Sequence, residues 1–94
     1  MIVINCLFKS EKTDMNDFFK VLVERGLVEG SRADKGNHGY DFYISAEDPK
    51  KMMLVETWES KEDLQAHSST DLFKTFAPTC KEFAVLPKIS MYQE

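Results

Sequence analysis

The first predicted strand of the chain, Ile2–Lys9, is apolar on both of its faces, and this feature constrains the fold most strongly. Side chains alternate between the two faces of a strand. The even-numbered face carries Ile2, Ile4, Cys6 and Phe8, and the odd-numbered face carries Val3, Asn5 and Leu7. A strand that is apolar on both sides requires cover on both faces of its sheet.

A helix is predicted directly after this strand. Its apolar residues recur at intervals of three and four, as Met15, Phe18, Phe19 and Leu22. This spacing is typical of an amphipathic helix that packs one stripe against a sheet. Thr13 is expected to be its N-cap. Gly26 is expected to end or bend the helix, and Leu27–Asp34 is expected to form a second short helical segment.

Three further strands are predicted from β-branched and aromatic residues. Tyr40–Ser45 and Met52–Glu59 flank a polar loop at residues 46–50, which favours a hairpin. Lys88–Gln93 forms the last strand. Gly36, within a turn sequence before the hairpin, is expected to adopt a positive φ.

The second helical layer is predicted between the last two strands. Ser60 can cap one helix and Ser69 or Thr70 another, in which Pro78 should introduce a kink or a break. The resulting order, β-α-β-β-α-β, predicts the ferredoxin-like α+β fold, with one antiparallel sheet and split helices on one face. A length of 94 residues predicts a single domain spanning residues 1–94.

The uncovered face of such a sheet predicts an oligomer. An antiparallel sheet with helices on one side normally carries polar residues on the other side, but these strands lack clean alternation. We expect the sheets of two copies to pack together in a homodimer, as a dimeric α/β barrel. The alternative is that some of these apolar side chains are simply exposed.

Composition argues against several classes of function. The formal net charge is −4 and no basic cluster is longer than Lys50–Lys51, so nucleic-acid binding is not expected. No apolar run approaches the roughly 20 residues of a membrane span. Cys6 and Cys80 are expected to be reduced in a cytoplasmic protein. Together with His38 and His67 they show no metal-ligand spacing, so no metal site is expected.

A carboxylate on an apolar strand face indicates where a functional site could lie. Glu56 and Trp58 point to the same face of the third predicted strand. A carboxylate there costs free energy unless it is hydrogen-bonded. On the next helix, Leu64 and His67 are three residues apart and share a face. We therefore predict that Glu56, Trp58 and His67 line one water-poor hollow between sheet and helices, able to accept a planar molecule.

Three segments, in this order and at this spacing, resemble the antibiotic biosynthesis monooxygenase domain family. They are NHGYDFY at residues 37–43, VETWESKEDLQAH at 55–67 and DLFKTF at 71–76. The resemblance covers essentially the whole chain and implies a small dimeric α+β barrel. Several members of that family are cofactor-independent oxygenases of quinols and polycyclic phenols, others degrade haem, and one branch isomerises a phosphorylated quorum-sensing signal.

The resemblance implies a cofactor-independent monooxygenase that oxidises a phenol or quinol with O₂. His67 is the candidate base, because an unperturbed histidine titrates at about 6.5. Asn37 and Tyr40 match family positions near the pocket mouth, so we group them with His67 as catalytic candidates. No cofactor is expected, since the substrate supplies the electrons. The candidate substrate-binding residues are Glu56, Trp58 and Phe73.

Alternative interpretations remain open. His67 could serve only within the helices, Glu56 could be a structural acceptor, and Trp58 could belong to the core or to a dimer interface. The protein could also be an isomerase or lyase, resembling the quorum-signal isomerases, or a non-catalytic dimeric ligand-binding module. A haem-degrading enzyme is not expected. Asn5 could match the asparagine of those relatives, but His67 and Ala77 stand where they carry tryptophan and the haem-ligating histidine.

Overall fold

A computed structural model describes residues 1–93 as a four-stranded antiparallel sheet with helices against one face. The strands are β1 (Ile2–Lys9), β2 (Asn37–Ile44), β3 (Lys51–Trp58) and β4 (Leu86–Gln93), in the order β2-β3-β1-β4 across the sheet. The helices are α1 (Met15–Glu24), α2 (Leu27–Ala33), α3 (Lys61–Ser68) and α4 (Phe76–Glu82), with a 3₁₀ turn at Phe73–Thr75. The predicted ferredoxin-like α+β fold with split helices is confirmed.

The start of α1 differs from the prediction. Asp14, rather than Thr13, is the N-cap, because its Oδ1 accepts a hydrogen bond from the backbone N–H of Asn16 at 2.8 Å. The hydroxyl of Thr13 instead donates to the carbonyl of Phe83 at 2.6 Å. This bond ties the start of α1 to the end of α4. Gly26 separates α1 from α2 with a φ of 78°, a left-handed conformation that glycine adopts without steric cost.

Pro78 does not kink α4. It is the third residue of that helix, and backbone N–H groups in a first turn have no intrahelical acceptor, so the missing N–H costs little. The interruption in this helical layer comes earlier, where the 3₁₀ turn gives way to α4. The hydroxyl oxygen of Thr70 accepts a hydrogen bond from the backbone N–H of Phe73 at 3.1 Å, which anchors the beginning of the 3₁₀ turn.

Strand register decides which side chains lie beneath the helices. Ile4 of β1 and Tyr40 of β2 both pair with Glu56 of β3, and side chains of directly paired residues point to the same face. Tyr40 and Glu56 therefore share the helix-facing side of the sheet with the apolar even-numbered residues of β1. Trp58 lies on the same side, paired with Ile2.

The core between this face and the helices is aromatic and aliphatic. Its largest fully buried side chains are Trp58, Phe8, Phe18, Met15, Leu22, Met52, Leu54 and Cys6. The ring of Phe8 packs 5.9 Å from that of Phe18 and 5.7 Å from that of Phe76. Burial of each such side chain is worth about 1.5–3 kcal/mol. This packing holds α1 and α4 against the sheet.

The opposite face of the sheet and the edge strand β4 are less covered. Val3, Leu7, Met53 and Val55 on the opposite face are half-buried in one copy of the chain. On β4, Ile89 and Met91 are exposed by 59 % and 55 %, although their register places them on the helix-facing side. None of the helices in the described part of the chain has both the length and the apolar character needed to cross a lipid bilayer.

Candidate active site

Helix α3 carries His67 into the interior. Ser60 is its N-cap, with an Oγ that accepts from the backbone N–H of Asp63 at 3.2 Å, as the sequence predicts. The hydroxyl of Ser60 also donates to the Asp63 carboxylate at 3.1 Å. His67 lies in the last turn of the helix, is 4 % exposed and is its only buried residue. The cap fixes where α3 begins, and this start determines that His67 lies on the side of the helix that faces the core.

The imidazole of His67 is held by a carboxylate that the sequence interpretation missed. Nδ1 of His67 lies 2.7 Å from Oδ2 of Asp34, at the C-cap of α2. An ionised carboxylate only accepts hydrogen bonds, so Nδ1 carries the hydrogen and donates it. This bond selects the tautomer that leaves Nε2 of the neutral ring as the basic nitrogen.

Nε2 is not sealed inside the core. Within residues 1–93 it has no hydrogen-bond partner, and no fully buried side-chain polar atom of this part of the chain lacks one. Nε2 must therefore retain some accessible surface. The imidazole combines a fixed proton on one nitrogen with an available lone pair on the other, which is the arrangement that a general base requires.

Trp58 connects Glu56 to His67. Its indole Nε1–H donates to Oε1 of Glu56 at 3.0 Å, and its ring lies 4.5 Å from that of His67, centroid to centroid, at an interplanar angle of 34°. Burial raises the pKa of Glu56, while the hydrogen bond from Trp58 and, when it is protonated, the imidazole of His67 oppose this rise. The hydrogen bond explains how a carboxylate is tolerated on an apolar strand face.

A small cavity lies next to Glu56. Its volume is about 30 Å³, and it is lined by Cys6, Leu27, Ser31, Tyr40, Leu54, Glu56, Phe73, Phe76 and Ile89. Among bonds within residues 1–93, Oε1 is the carboxylate oxygen of Glu56 that is hydrogen-bonded. By the same reasoning as for His67, the other carboxylate oxygen keeps accessible surface. This cavity has room for one or two water molecules. The prediction of a hollow that accepts a planar molecule is therefore wrong for this cavity, because an aromatic ring does not fit into about 30 Å³.

The structure brings together most of the predicted site residues, but not all. Tyr40, Glu56 and Phe73 line the cavity. His67 lies behind this lining, its ring centroid 6.3 Å from that of Tyr40 and 5.2 Å from that of Phe73. Neither His67 nor Trp58 forms part of the cavity wall, which corrects the expectation that both do.

Asn37 lies apart from the cavity. It is the first residue of β2, which begins three residues earlier than predicted, and its side-chain amide donates to the carbonyl of Gly39 at 3.0 Å. It is absent from the cavity lining. In this conformation its amide stabilises the irregular start of β2, where the register shifts between Asn37 and Gly39.

The groups around Glu56 favour their protonated forms. Burial, followed by the charge of Glu56, raises the pKa of Tyr40 well above its ordinary range. The same two causes, with a further contribution from Cys80, raise the pKa of Cys6 to about 12. Near neutral pH, Tyr40 is therefore a hydrogen-bond donor facing the cavity, and Cys6 is a neutral wall residue.

Asp34 and Ser31 are the polar residues of the site that sequence reasoning missed. Asp34 stands in a polar turn segment, 33 residues before His67, and no periodicity links the two. Ser31 is buried within α2, and its hydroxyl donates to the carbonyl of Leu27 at 2.6 Å. The available signal was a serine four residues after Leu27, and therefore on the same face of a short helix.

Comparison with known proteins places the chain in a family. The family model for antibiotic biosynthesis monooxygenases matches residues 1–79. The chain belongs to this family. It is 26% identical over 87 residues to a Bacillus subtilis (strain 168) protein named "Putative monooxygenase YcnE", covering 93% of this chain and 90% of that one.

Solved structures of family members share the fold. A Nitrosomonas europaea structure described as "Putative antibiotic biosynthesis monooxygenase" superposes with a TM-score of 0.77 at 28% identity, covering 98% of this chain and 97% of that chain. SnoaB, a cofactor-independent oxygenase from Streptomyces nogalater, superposes with a TM-score of 0.82 at 8% identity, over 99% and 91% of the two chains. At that identity, the likeness to SnoaB concerns the fold alone.

Proposed function

We propose that this member of the antibiotic biosynthesis monooxygenase family is a cofactor-independent monooxygenase that oxidises a phenol or quinol with O₂. The observation that carries the proposal is a buried carboxylate, Glu56, with an oxygen accessible at an apolar cavity and coupled through Trp58 to the His67–Asp34 pair. Family membership supports the same reaction class.

The reaction needs a base and a dry, apolar surrounding. The bound phenol loses a proton, and the resulting anion transfers one electron to O₂. The two radicals recombine as a carbon–oxygen bond, which gives a hydroperoxide after protonation. Loss of water from a hydroperoxide carbon that still carries hydrogen leaves a carbonyl. One oxygen atom enters the product and the other leaves as water. The substrate supplies all four electrons that reduce O₂.

Glu56 and His67 take complementary parts in this proposal. The accessible oxygen of Glu56 contacts the substrate hydroxyl, and a carboxylate whose pKa is raised by burial is a stronger base than an ordinary one. Nε2 of His67 is the second basic position, and the proton on its Nδ1 is held by Asp34. The phenol of Tyr40 can donate a hydrogen bond to the developing oxyanion.

Substrate binding requires the cavity to enlarge. Phe73 and Phe76 of the second helical layer line the cavity and are only half-buried. Ile89 also lines it and is 59 % exposed, which places the cavity close to the surface beside β4. A planar ring therefore enters between β4 and the segment around Phe73, with Glu56 at its inner end. Phe73 is the substrate-binding residue that moves.

The proposed functional unit is a homodimer. Half-buried apolar side chains on the helix-free face, among them Val3, Leu7, Met53 and Val55, leave one copy of the chain with an incompletely covered sheet. Packing of two such faces removes this apolar area from water. The dimer keeps β1 and β3 rigid, and these strands position Cys6 and Glu56 at the cavity.

The proposal is tested by oxygen consumption with a panel of hydroquinones and polycyclic phenols, using protein free of flavin and metal. We expect the natural protein to consume O₂. The rate of consumption should fall by roughly 10²–10⁴-fold in Glu56→Gln and in His67→Ala, which is the usual contribution of a general base. Glu24→Gln, an exposed carboxylate on α1, is the matched control. Uptake unchanged by both site variants would remove the proposed bases.

The same assay separates the competing functions. Two basic groups contact one indole, Glu56 at its N–H and His67 against its ring. Such a pair could also move a proton within a hydroxyketone, which favours an isomerase as the second candidate. Exchange of a carbon-bound hydrogen without oxygen consumption would identify that activity. Ligand binding with neither reaction would indicate a non-catalytic module.

A further inference from the structure

A large groove lies at the end of the sheet opposite to His67. Its volume is about 1090 Å³. Lys9 at the end of β1 pairs with Lys51 and Leu86, and all three line the groove. Trp58 pairs with Ile2, seven residues back along β1, which is roughly 23 Å away at 3.3 Å per residue. The groove is therefore separate from the proposed catalytic residues.

Positive charge is concentrated around this groove. Five lysines line it, against two acidic residues, Glu11 and Asp48, whereas the whole chain has 12 basic and 16 acidic residues. The lysines are Lys9, Lys12, Lys50, Lys51 and Lys81. Within residues 1–93, none of their ammonium groups forms an ion pair with a carboxylate. These charges are available to an anionic ligand.

The floor and one wall of the groove are apolar. Cys80 and Val85 are buried at its base, with 2 % and 3 % exposure, and Ala77 and Pro78 of α4 form a side. Leu86 is 75 % exposed beside them. An apolar surface bordered by unpaired cations is complementary to a molecule with an apolar body and an anionic head.

Hydrogen bonds between the surrounding segments hold the groove in shape before any ligand binds. The Ser10 hydroxyl oxygen accepts from the backbone N–H of Thr13 at 2.9 Å, and the Ser10 N–H donates to the carbonyl of Lys50 at 3.1 Å. The side-chain ammonium of Lys50 donates to the carbonyl of Glu11 at 2.9 Å. Thr13 is tied in turn to Phe83. Such pre-organisation lowers the entropic cost of binding.

We propose that this groove binds a free carboxylate with an aliphatic chain, of the medium-chain fatty acid class. The chain lies along Ala77, Val85 and Leu86, and the carboxylate is bound by the lysines at the end of the sheet. The volume is that of a small-molecule site. This ligand is distinct from the aromatic substrate of the proposed reaction, and its binding does not depend on Glu56 or His67.

Calorimetric titration with decanoate, below its micelle concentration, tests the proposal. We expect one site per chain, an affinity that weakens as salt is added, and no comparable binding of uncharged octyl glucoside. Reversal of two groove charges, in Lys51→Glu/Lys81→Glu, should weaken binding about tenfold or more. Lys20→Glu/Lys61→Glu, which changes exposed lysines on α1 and α3 by the same net charge, should change it less than about twofold.

A second variant tests whether binding depends on the space in the groove or only on surface charge in general. Ala77→Trp fills the groove without changing the net charge, and because Ala77 is exposed the fold should tolerate it. We expect it to abolish decanoate binding. Equal binding by the groove and control variants, equal binding of octyl glucoside, or binding only to anionic phosphatidylglycerol vesicles would overturn the proposal. So would light scattering that shows Ala77→Trp to dissociate an oligomer, since a second copy would then occupy the groove.

Discussion

Nδ1 of His67 and Oδ2 of Asp34, which belong to residues 33 positions apart, lie 2.7 Å from each other. His67 is buried on α3, and Asp34 ends α2 with a side chain that is 30 % exposed. The bond links the two helical layers and fixes the orientation of the imidazole. It makes Asp34 the positioning residue for the base proposed here, and the first prediction concerns it.

Asp34→Asn should reduce oxygen uptake with the best phenol on the order of 10- to 100-fold, less than the loss of the base itself. The amide no longer selects one tautomer of His67, because it can donate as well as accept. Nitrogen-15 NMR of the imidazole should show hydrogen shifting from Nδ1 towards Nε2. Asp41→Asn, at an exposed residue of β2, is the control, and an unchanged tautomer in Asp34→Asn would contradict the assignment.

Glu56→Gln should change the pH dependence of stability. Burial raises the pKa of Glu56 above its ordinary value of 4.5, so the folded state holds a proton that the unfolded chain has already released. The free energy of unfolding of the natural protein therefore falls as pH rises from 4.5 through the raised pKa. Glutamine keeps an oxygen for Trp58 and does not ionise, so the variant should lack this decline.

Urea unfolding between pH 4 and pH 8 measures this effect. The difference in unfolding free energy between Glu56→Gln and the natural protein should grow in favour of the variant as pH increases. Glu24→Gln, at an exposed position, should give a curve parallel to that of the natural protein. A parallel curve for Glu56→Gln as well would show that Glu56 has an ordinary pKa.

Val55→Lys should convert the proposed dimer into a monomer. Val55 lies at the centre of the helix-free face, paired with Asn5 and Asp41. An ammonium group there would be buried without a partner when two sheets pack together, which costs several kcal/mol. Light scattering coupled to size exclusion should show half the mass of the natural protein. Glu24→Lys serves as the control, and a natural protein that is itself monomeric would refute the dimer.

Cys6 and Cys80 should resist alkylation in the folded protein. Burial raises the pKa of the Cys6 thiol to about 12 and that of Cys80 to about 11, and both are fully buried. At pH 8 very little thiolate exists, so iodoacetamide should react at least about 100-fold more slowly than with the unfolded chain. Mass spectrometry after timed quenching measures both rates. Rapid labelling of Cys80 alone would indicate that the groove opens to its floor.

Gly36→Ala should destabilise the protein more than Gly26→Ala. Both glycines have positive φ, 83° and 78°, so alanine is strained by about 1–2 kcal/mol at either position. At Gly36 the new methyl group would also overlap the side chain of Asp63, whereas at Gly26 it would meet open space. Thermal unfolding should show the larger loss for Gly36→Ala, and equal losses would mean that Asp63 moves aside freely.

Sequence reasoning succeeded where short-range periodicity determines structure. The alternation in Ile2–Lys9 and the helical spacing from Met15 to Leu22 predicted β1 and α1 because each pattern lies within one element. The placement of Glu56 and Trp58 on one face followed from the two-residue repeat of a strand. Sequence reasoning failed at Thr13, because the hydroxyl of this residue bonds to Phe83, in a distant part of the chain, and does not cap the helix.

The amino-acid sequence by itself determined the order of elements, the buried face of β1 and α1, the cap at Ser60 and the end of the first helix near Gly26. Only the tertiary structure decided that Asp34 binds His67, that the cavity beside Glu56 is small, and that lysines from three segments surround one groove. The physical reason is the separation along the sequence of the residues that take part in each feature. Repeats of two and 3.6 residues are encoded locally, whereas these contacts depend on how separate elements pack.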